Sequence, residues 1–350
     1  MHDTGACNSS VSKEETMGSD IIKVLLEKAK ADPKKIAFPE ANEEKILRAA
    51  RQALDLGIAF PVLVGEYETI STLAESMSIS LDGLTVVDHT DQDKLDEYVG
   101  EYVKTKTLLP ASALKRQSRD PLYLALILDD IGEVDGVVAG INHTTEEVIL
   151  GAQMIVGLKE GISTVSSVGI WVIPGYDGPE GEFLAHADCA VMPDPDPSEL
   201  ADIAISSADT MHRLMGWEPR VALLSFSTKG STSHPRVDKV LQALEIARER
   251  RPDLLIDGEL QLDSAISPAV AAKKIKEPGA VAGKANILIF PNLDAGNIGV
   301  KLVQHFAKAS TCGPLLQGFN KPVSDLSRGA SIEDIVGVIS MLVITAQKTE

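Results

Sequence analysis

The sequence predicts an α/β protein built as two lobes, each around a mainly parallel sheet. Three observations carry this reading. Short apolar runs of strand length alternate with stretches of helical apolar period, as in successive βαβ units. At 350 residues the chain exceeds what one simple core organises, so two lobes of ordinary size are expected. The texture also changes near residue 160, where helix-rich alternation gives way to two alternating strand patterns joined by a Gly- and Pro-rich loop.

The elements follow in order. Residues 20–31 place Ile21, Ile22, Leu25, Leu26 and Ala29 at helical spacing. A strand is expected over 35–39, then a helix capped by Asn42 and stopped by Gly57. Residues 60–65 and 84–88 read as the next strands, 91–130 as helical with Asp120-Pro121 opening its second half, and 136–140 as a buried strand. Beyond the boundary, 165–173 and 183–191 read as strands around the loop 174–182, and the turn cluster 193–198 feeds a helix through Leu214. Strands at 221–226, 254–258 and 285–290 then alternate with helices at 235–250, 267–275 and 295–309.

Composition narrows the function. Apolar residues make up 44% of the chain and charged residues 24%, a soluble globular balance. No apolar run approaches the roughly 18 residues that suggest a membrane span. A net charge of −18 argues against a nucleic-acid surface, which needs clustered Lys and Arg. Any anionic substrate must therefore be gathered by a local basic pocket. Cys7, Cys189 and Cys312 are far apart, and no His/Asp/Glu spacing suggests a metal. Segment 1–18 is polar and lacks the apolar core of a secretory signal, so it reads as a flexible extension on a cytoplasmic protein.

Four motifs carry candidate chemistry. The stretch Lys321-Pro-Val-Ser-Asp-Leu-Ser-Arg-Gly-Ala-Ser-Ile-Glu-Asp-Ile335 places a hydroxyl (Ser327), a guanidinium (Arg328) and a helix-opening Ser331-Ile-Glu-Asp334 in one loop-to-helix turn. Such a turn can present N–H groups, a permanent cation and a carboxylate to one small anion. Asp334 is also spaced to form a capping box with Ser331, a structural role that competes with catalysis. Ser225-Phe-Ser-Thr-Lys-Gly-Ser-Thr232, between a strand and a helix, offers Ser227, Thr228, Lys229 and Gly230 as a phosphate cradle or as an ordinary capped connection. The polar run Asp257 to Asp263 and the run Asn292 to Gly299 both follow strands, where open α/β sheets bind ligands.

Taken together these blocks resemble the phosphate acetyltransferases. The likeness runs from about residue 20 to 348 and rests on Val134-Asp-Gly-Val-Val-Ala-Gly140 with His143-Thr-Thr145, Ala187-Asp-Cys-Ala-Val191, Ser206-Ser-Ala-Asp-Thr210, the 225–232 turn, Ile256 to Gln261, Val281 to Asn286, Asp294 to Gly299, and 317–335. The resemblance implies an isocitrate/isopropylmalate dehydrogenase-like architecture with a cleft between the lobes. It also implies that residues 313–350 rejoin 19–160 while 161–312 form the second lobe. It implies acetyl transfer between coenzyme A and phosphate, with CoA as substrate, no cofactor or metal, and a cytoplasmic homodimer. Asp334 would be the base for the thiol, and Ser327 and Arg328 would assist acyl transfer. His143, Thr144, Thr145, Ser227, Thr228, Lys229, Gly230, Asn297 and His305 would contact substrate.

Three departures from the family pattern concern arginines. Leu150 stands where an arginine follows the His-Thr-Thr block, Val103 to Thr107 carries lysines in place of an R-K-x-K-G stretch, and His305 replaces a third. Lysine and histidine cannot reproduce a bidentate guanidinium contact. Three lost charge-assisted contacts would weaken anion binding by several kcal/mol, at about 1.5–3 kcal/mol each. Lys104, Lys106, Lys229 and a protonated His305 would compensate in part. The apolar Leu150 and Val103 leave a propanoyl or butyryl transferase open, and the missing arginines leave open a catalytically weak CoA-binding relative.

Overall fold

The computed structural model describes residues 14–106 and 109–347, with side chains from residue 21 onward. In chain order the first lobe contains α1 (Glu14–Ala31), β1 (Lys34–Phe38), α2 (Glu44–Asp55), β2 (Ala59–Val64), α3 (Tyr67–Ser76), β3 (Thr85–Val87), α4 (Gln92–Thr105), α5 (Ala111–Gln117), α6 (Pro121–Asp130), β4 (Gly136–Ala139) and α7 (Thr145–Ile155). The second contains β5 (Ser166–Val172), β6 (Phe183–Ala187), α8 (Pro197–Met215), β7 (Arg220–Leu224), α9 (Pro235–Arg250), β8 (Leu255–Leu260), α10 (Leu262–Ile266), α11 (Pro268–Lys274), β9 (Ile287–Ile289), α12 (Leu293–Phe306) and β10 (Ser310–Gln317). The chain then returns through β11 (Val323–Asp325) and α13 (Ile332–Ala346).

Five parallel strands form the first sheet in the order β11-β4-β1-β2-β3. The second runs β10-β5-β6-β9-β7-β8, with β10, β5 and β6 antiparallel neighbours and the rest parallel. Helices cover the parallel strands, whose residues are buried on both faces, as in β1 with Ile36, Ala37 and Phe38. The lobes share one apolar layer: Ile335, Ile339 and Met341 of α13 join a cluster holding Ile36 and Phe38 of one sheet and Val168 and Ile170 of the other. No helix of the described residues is long and apolar enough to cross a membrane.

Several local expectations change. Residues 14–18, read as part of a flexible extension, are helical in α1, and 1–13 lie outside the described residues. Residues 313–317, expected with the first lobe, belong to β10, because Leu315, Leu316 and Gln317 pair antiparallel with β5. The helical stretch 91–130 is three helices, restarted by Pro110 and by the Asp120 cap ahead of Pro121. Glu43 rather than Asn42 precedes α2, and Asn292 caps α12. Both lobes thus keep their strand C-termini free to carry polar loops, which is where the candidate chemistry lies.

Candidate active site

The ends of β1, β4 and β11 lie side by side in the first sheet. After β1, Pro39 turns the chain and buries Glu40, which is 2% exposed. A buried carboxylate must be paired and hydrogen-bonded. Glu40 Oε1 accepts N–H groups from Gly140 (3.1 Å), Asn142 (2.9 Å) and His143 (2.9 Å), and Oε2 accepts one from Ile141 (2.8 Å). The His143 ring completes the set, its Nδ1 lying 2.8 Å from Oε1. Burial pushes the Glu40 carboxyl up, but the His143 ring and these N–H donors outweigh it and hold it below the ordinary range.

His143 is flanked on its other side by Asp120, the N-cap of α6, whose Oδ1 is 3.7 Å from Nε2. The Asp120 carboxylate on one side and Glu40 on the other outweigh burial and raise the imidazole to about 10. Burial works against ionisation of Asp120, and the His143 ring, the Leu122 N–H and the His89 charge together outweigh it and hold the carboxyl below its ordinary range. His143 is therefore held as an imidazolium between two carboxylates, a structural clamp on the loop after β4.

Next in the chain, Thr144 caps α7 in a reciprocal box with Glu147. Its hydroxyl and N–H serve the helix, which removes the reason to expect it on a substrate. Thr145 Oγ1 instead donates to Asp325 Oδ2 at 2.5 Å, tying the start of α7 to the end of β11. Between them Gly140 (φ +115°) has no room for a side chain, since a Cβ there would lie 2.1 Å from Asp325 Oδ1.

The motif turn starts at once. Leu326 N–H extends the strand pairing to Ala139 O (2.7 Å), and Ala330 N–H closes the turn on Ser327 O (2.9 Å). Lys45 of α2 pins the far end through Ala330 O (2.9 Å). Ser327 and Arg328 stand exposed on this fixed turn, and among the described residues Arg328 has no hydrogen-bond or ion-pair partner. Asp334 is also exposed, and forms the capping box that its spacing predicted: its Oδ2 accepts from Ser331 N (3.0 Å) and Oγ (2.9 Å). Oδ1 of Asp334 accepts no bond from the described residues.

The 225–232 turn is built differently from the expected phosphate cradle. Ser227 Oγ and Gly230 N–H both donate to Glu259 Oε1 at 2.8 Å, and Thr228 Oγ1 accepts from Gln261 N. Lys229 Nζ binds Asp257 Oδ1 and Gly258 O. The physical reason is Glu259, 1% exposed, a buried carboxylate that consumes the donors a phosphate would have used. Of the other compensating lysines, Lys106 is held by Asp130 and by the carbonyls of Ile155 and Val156, and Lys104 by the exposed Glu101. Thr107 lies outside the described residues. On α12, Asn297 Nδ2 reaches Cys189 O (3.3 Å), and His305 is exposed.

A cavity of about 660 Å³ is lined by none of the residues of the Ser-Arg turn. It opens at the C-terminal ends of β7 and β9, between Phe226, Arg236, Leu262, Phe290, Asn292 and Ile298. Asp334 borders a much smaller hollow of about 110 Å³ beside Cys312 and Gly313.

Residues 20–346 match the family model described as phosphate acetyl/butaryl transferase. The chain belongs to this family. Relatives named phosphate acetyltransferase include one from Clostridium acetobutylicum, 44% identical over 331 residues, covering 94% of this chain and 99% of the relative. Another, from Thermoanaerobacterium thermosaccharolyticum, is 46% identical and covers 93% and 99%. Among solved structures, a phosphotransacetylase from Streptococcus pyogenes superposes with a TM-score of 0.82 at 37% identity, over 97% of this chain and 99% of that one. One from Staphylococcus aureus gives 0.83 at 33%, over 94% and 99%. The fold alone extends to a 4-hydroxythreonine-4-phosphate dehydrogenase from Klebsiella pneumoniae, with a TM-score of 0.51 at 10% identity over 90% and 100%.

Within the phosphate acetyl/butaryl transferase frame, the structure gathers His143, Thr145, Ser327 and Arg328 at one sheet edge, with Asp334 six residues beyond the arginine. It keeps the 227–230 turn and α12 on the second lobe. Glu40, Asp120 and Asp325 escaped sequence reasoning. Asp325 lay inside the singled-out stretch, but nothing local marks its inner oxygen as buried.

Proposed function

We propose that this acyltransferase moves an acetyl group reversibly between coenzyme A and inorganic phosphate. The observation that carries the reading is the exposed Ser327–Arg328 pair, held on a rigid turn by Ala139, Ala330 and Lys45 in a chain of this family. An unpaired guanidinium on a fixed backbone suits an acyl phosphate and the oxyanion that forms when its carbonyl is attacked. In the direction of acetyl-CoA synthesis, the CoA thiol loses its proton to Asp334, whose Oδ1 is not used by the cap. The sulfur adds to the carbonyl carbon, and the intermediate collapses with phosphate leaving. Arg328 and Ser327 stabilise the negative oxygens throughout. The reaction needs no covalent enzyme intermediate, and CoA is a substrate rather than a cofactor.

A longer acyl group is the second reading, favoured by Leu150 of α7, which is 52% exposed. The test is CoA release from acetyl-, propanoyl- and butanoyl-CoA with phosphate, compared as kcat/KM. A preference for acetyl supports the first reading, and a rise with chain length the second. Folded protein that binds CoA without turnover overturns both.

The proposed assembly is a homodimer in the cytoplasm, where CoA thioesters and phosphate are at hand. Support for a second copy as partner comes from α12, which exposes Ile298, Leu302 and Phe306 in one stripe (57%, 50% and 82%) on a chain of net charge −18.

A further inference from the structure

We infer that Asp325 is a positioning residue of the acyl-transfer site, a latch that fixes the Ser327–Arg328 turn against the start of α7 through Thr145. The inference rests on the acyl-transferase reading above. Three observations carry it. Asp325 ends β11 and stands two residues before Ser327, so any movement of its carboxyl moves the turn. Its side-chain hydrogen bond to another element joins it to Thr145, 180 positions earlier. Its Oδ1 is buried without a hydrogen-bond partner, pressed against the one residue, Gly140, that leaves space for it.

A half-buried carboxyl whose inner oxygen has no hydrogen-bond partner is costly as a structural group, because an apolar side chain would fill the same space more cheaply. A carboxyl offers something else there: a hydrogen bond to Thr145 whose strength depends on ionisation. The charge that acts on it is Glu40 after β1, which is itself bonded to the His143 imidazolium; Lys45 of α2, at the end of the turn, and Arg328 on the turn lie without a contact to it among the described residues. Burial raises the Asp325 carboxyl to about 6, the Thr145 hydroxyl opposes this, and the Glu40 charge adds to it. Glu40 and Asp325 thus flank Gly140 with opposite displacements, one held ionised and the other titrating near neutrality. Above that range the ionised carboxylate grips Thr145, and below it the latch slackens.

The experiment measures kcat and KM from pH 5 to 8.5 for the full chain and for Asp325→Asn, Thr145→Val and Thr145→Ser, with phosphate and acetyl-CoA. The ionisation of phosphate is common to all four proteins, so only differences between them count. The wild type should lose kcat on the acid side near pH 6. Asp325→Asn should lack that limb and lose about 10- to 100-fold in kcat at pH 7.5, with KM changed less, the effect of a reacting group held out of place. Thr145→Val should move the limb to higher pH, since the ionised carboxylate loses its donor, and Thr145→Ser should restore it. Asp325→Asn with the wild-type limb and kcat within twofold of wild type overturns the inference. Should Asp325→Asn fail to fold, a Thr145→Val limb at the wild-type position overturns it equally. A wild type without turnover defeats the acyl-transferase reading itself, and this inference with it.

Discussion

His143 Nδ1 lies 2.8 Å from Glu40 Oε1, joining the loop after β4 to the loop after β1 across 103 positions of sequence. Four backbone N–H groups converge on the same carboxylate, so removing it orphans five donors together. Glu40→Ala should cost about 3–5 kcal/mol of stability, the scale for breaking a buried charged network. Urea unfolding of the variant beside the wild type measures it, and a loss under about 1 kcal/mol contradicts the buried network.

The same pair sets a pH dependence. The His143 imidazole is raised from 6.5 to about 10, so its contribution to stability is complete below pH 6.5 and is lost as pH rises through 10. Glu40 is lowered from 4.5, so its contribution is complete above pH 4.5 and is lost as pH falls through its lower folded value. Both operate fully between about pH 4.5 and 6.5. His143→Ala should therefore lower the unfolding midpoint more at pH 6 than at pH 10, which thermal scans in matched buffers decide.

These relationships show what was legible in the sequence. Alternating apolar runs located most strands and helices, since burial on one face leaves a periodic trace. The Ser-Arg turn was legible because polar, permanently charged residues sat between a strand and a capping box. Glu40 and Asp325 were not, because their meaning lies in partners 100 to 180 positions away. The Ser227–Gly230 turn misled for the same reason: its donors look free until Glu259 is seen beneath them. β10 was misassigned because its Gly313-Pro314 interrupts any alternation and its register shifts between Cys312 and Leu315.

Arg328 tests the acyl-transfer chemistry most directly. It is exposed and unpaired among the described residues, so Arg328→Lys should leave the unfolding midpoint unchanged. Its kcat should fall about 10²- to 10³-fold, since a point charge cannot replace a forked donor on a developing oxyanion. Steady-state assays with a parallel thermal scan check both halves.

Asp334 must be separated from its cap. Ser331→Ala removes the hydroxyl of the box and should cost about 1 kcal/mol of stability with kcat nearly intact. Asp334→Asn keeps the side chain's shape but loses the carboxylate, and should lower kcat about 100-fold or more, within the range for a general base. Equal behaviour of the two variants in both assays would leave Asp334 as a cap alone.

The apolar stripe on α12 predicts association. If the proposed homodimer forms through this stripe, Phe306→Asp with Leu302→Asp should leave a monomer with unchanged circular dichroism, because both side chains are exposed. Sedimentation velocity at micromolar concentration reads the outcome.

The return of the chain through β11 and α13 has a consequence for biosynthesis. On the ribosome, the edge of β4 that β11 pairs with and the apolar bed beneath α13 wait uncovered while the second lobe emerges. The Ser-Arg turn is absent over the same interval, so no nascent intermediate holds both halves of the reaction centre.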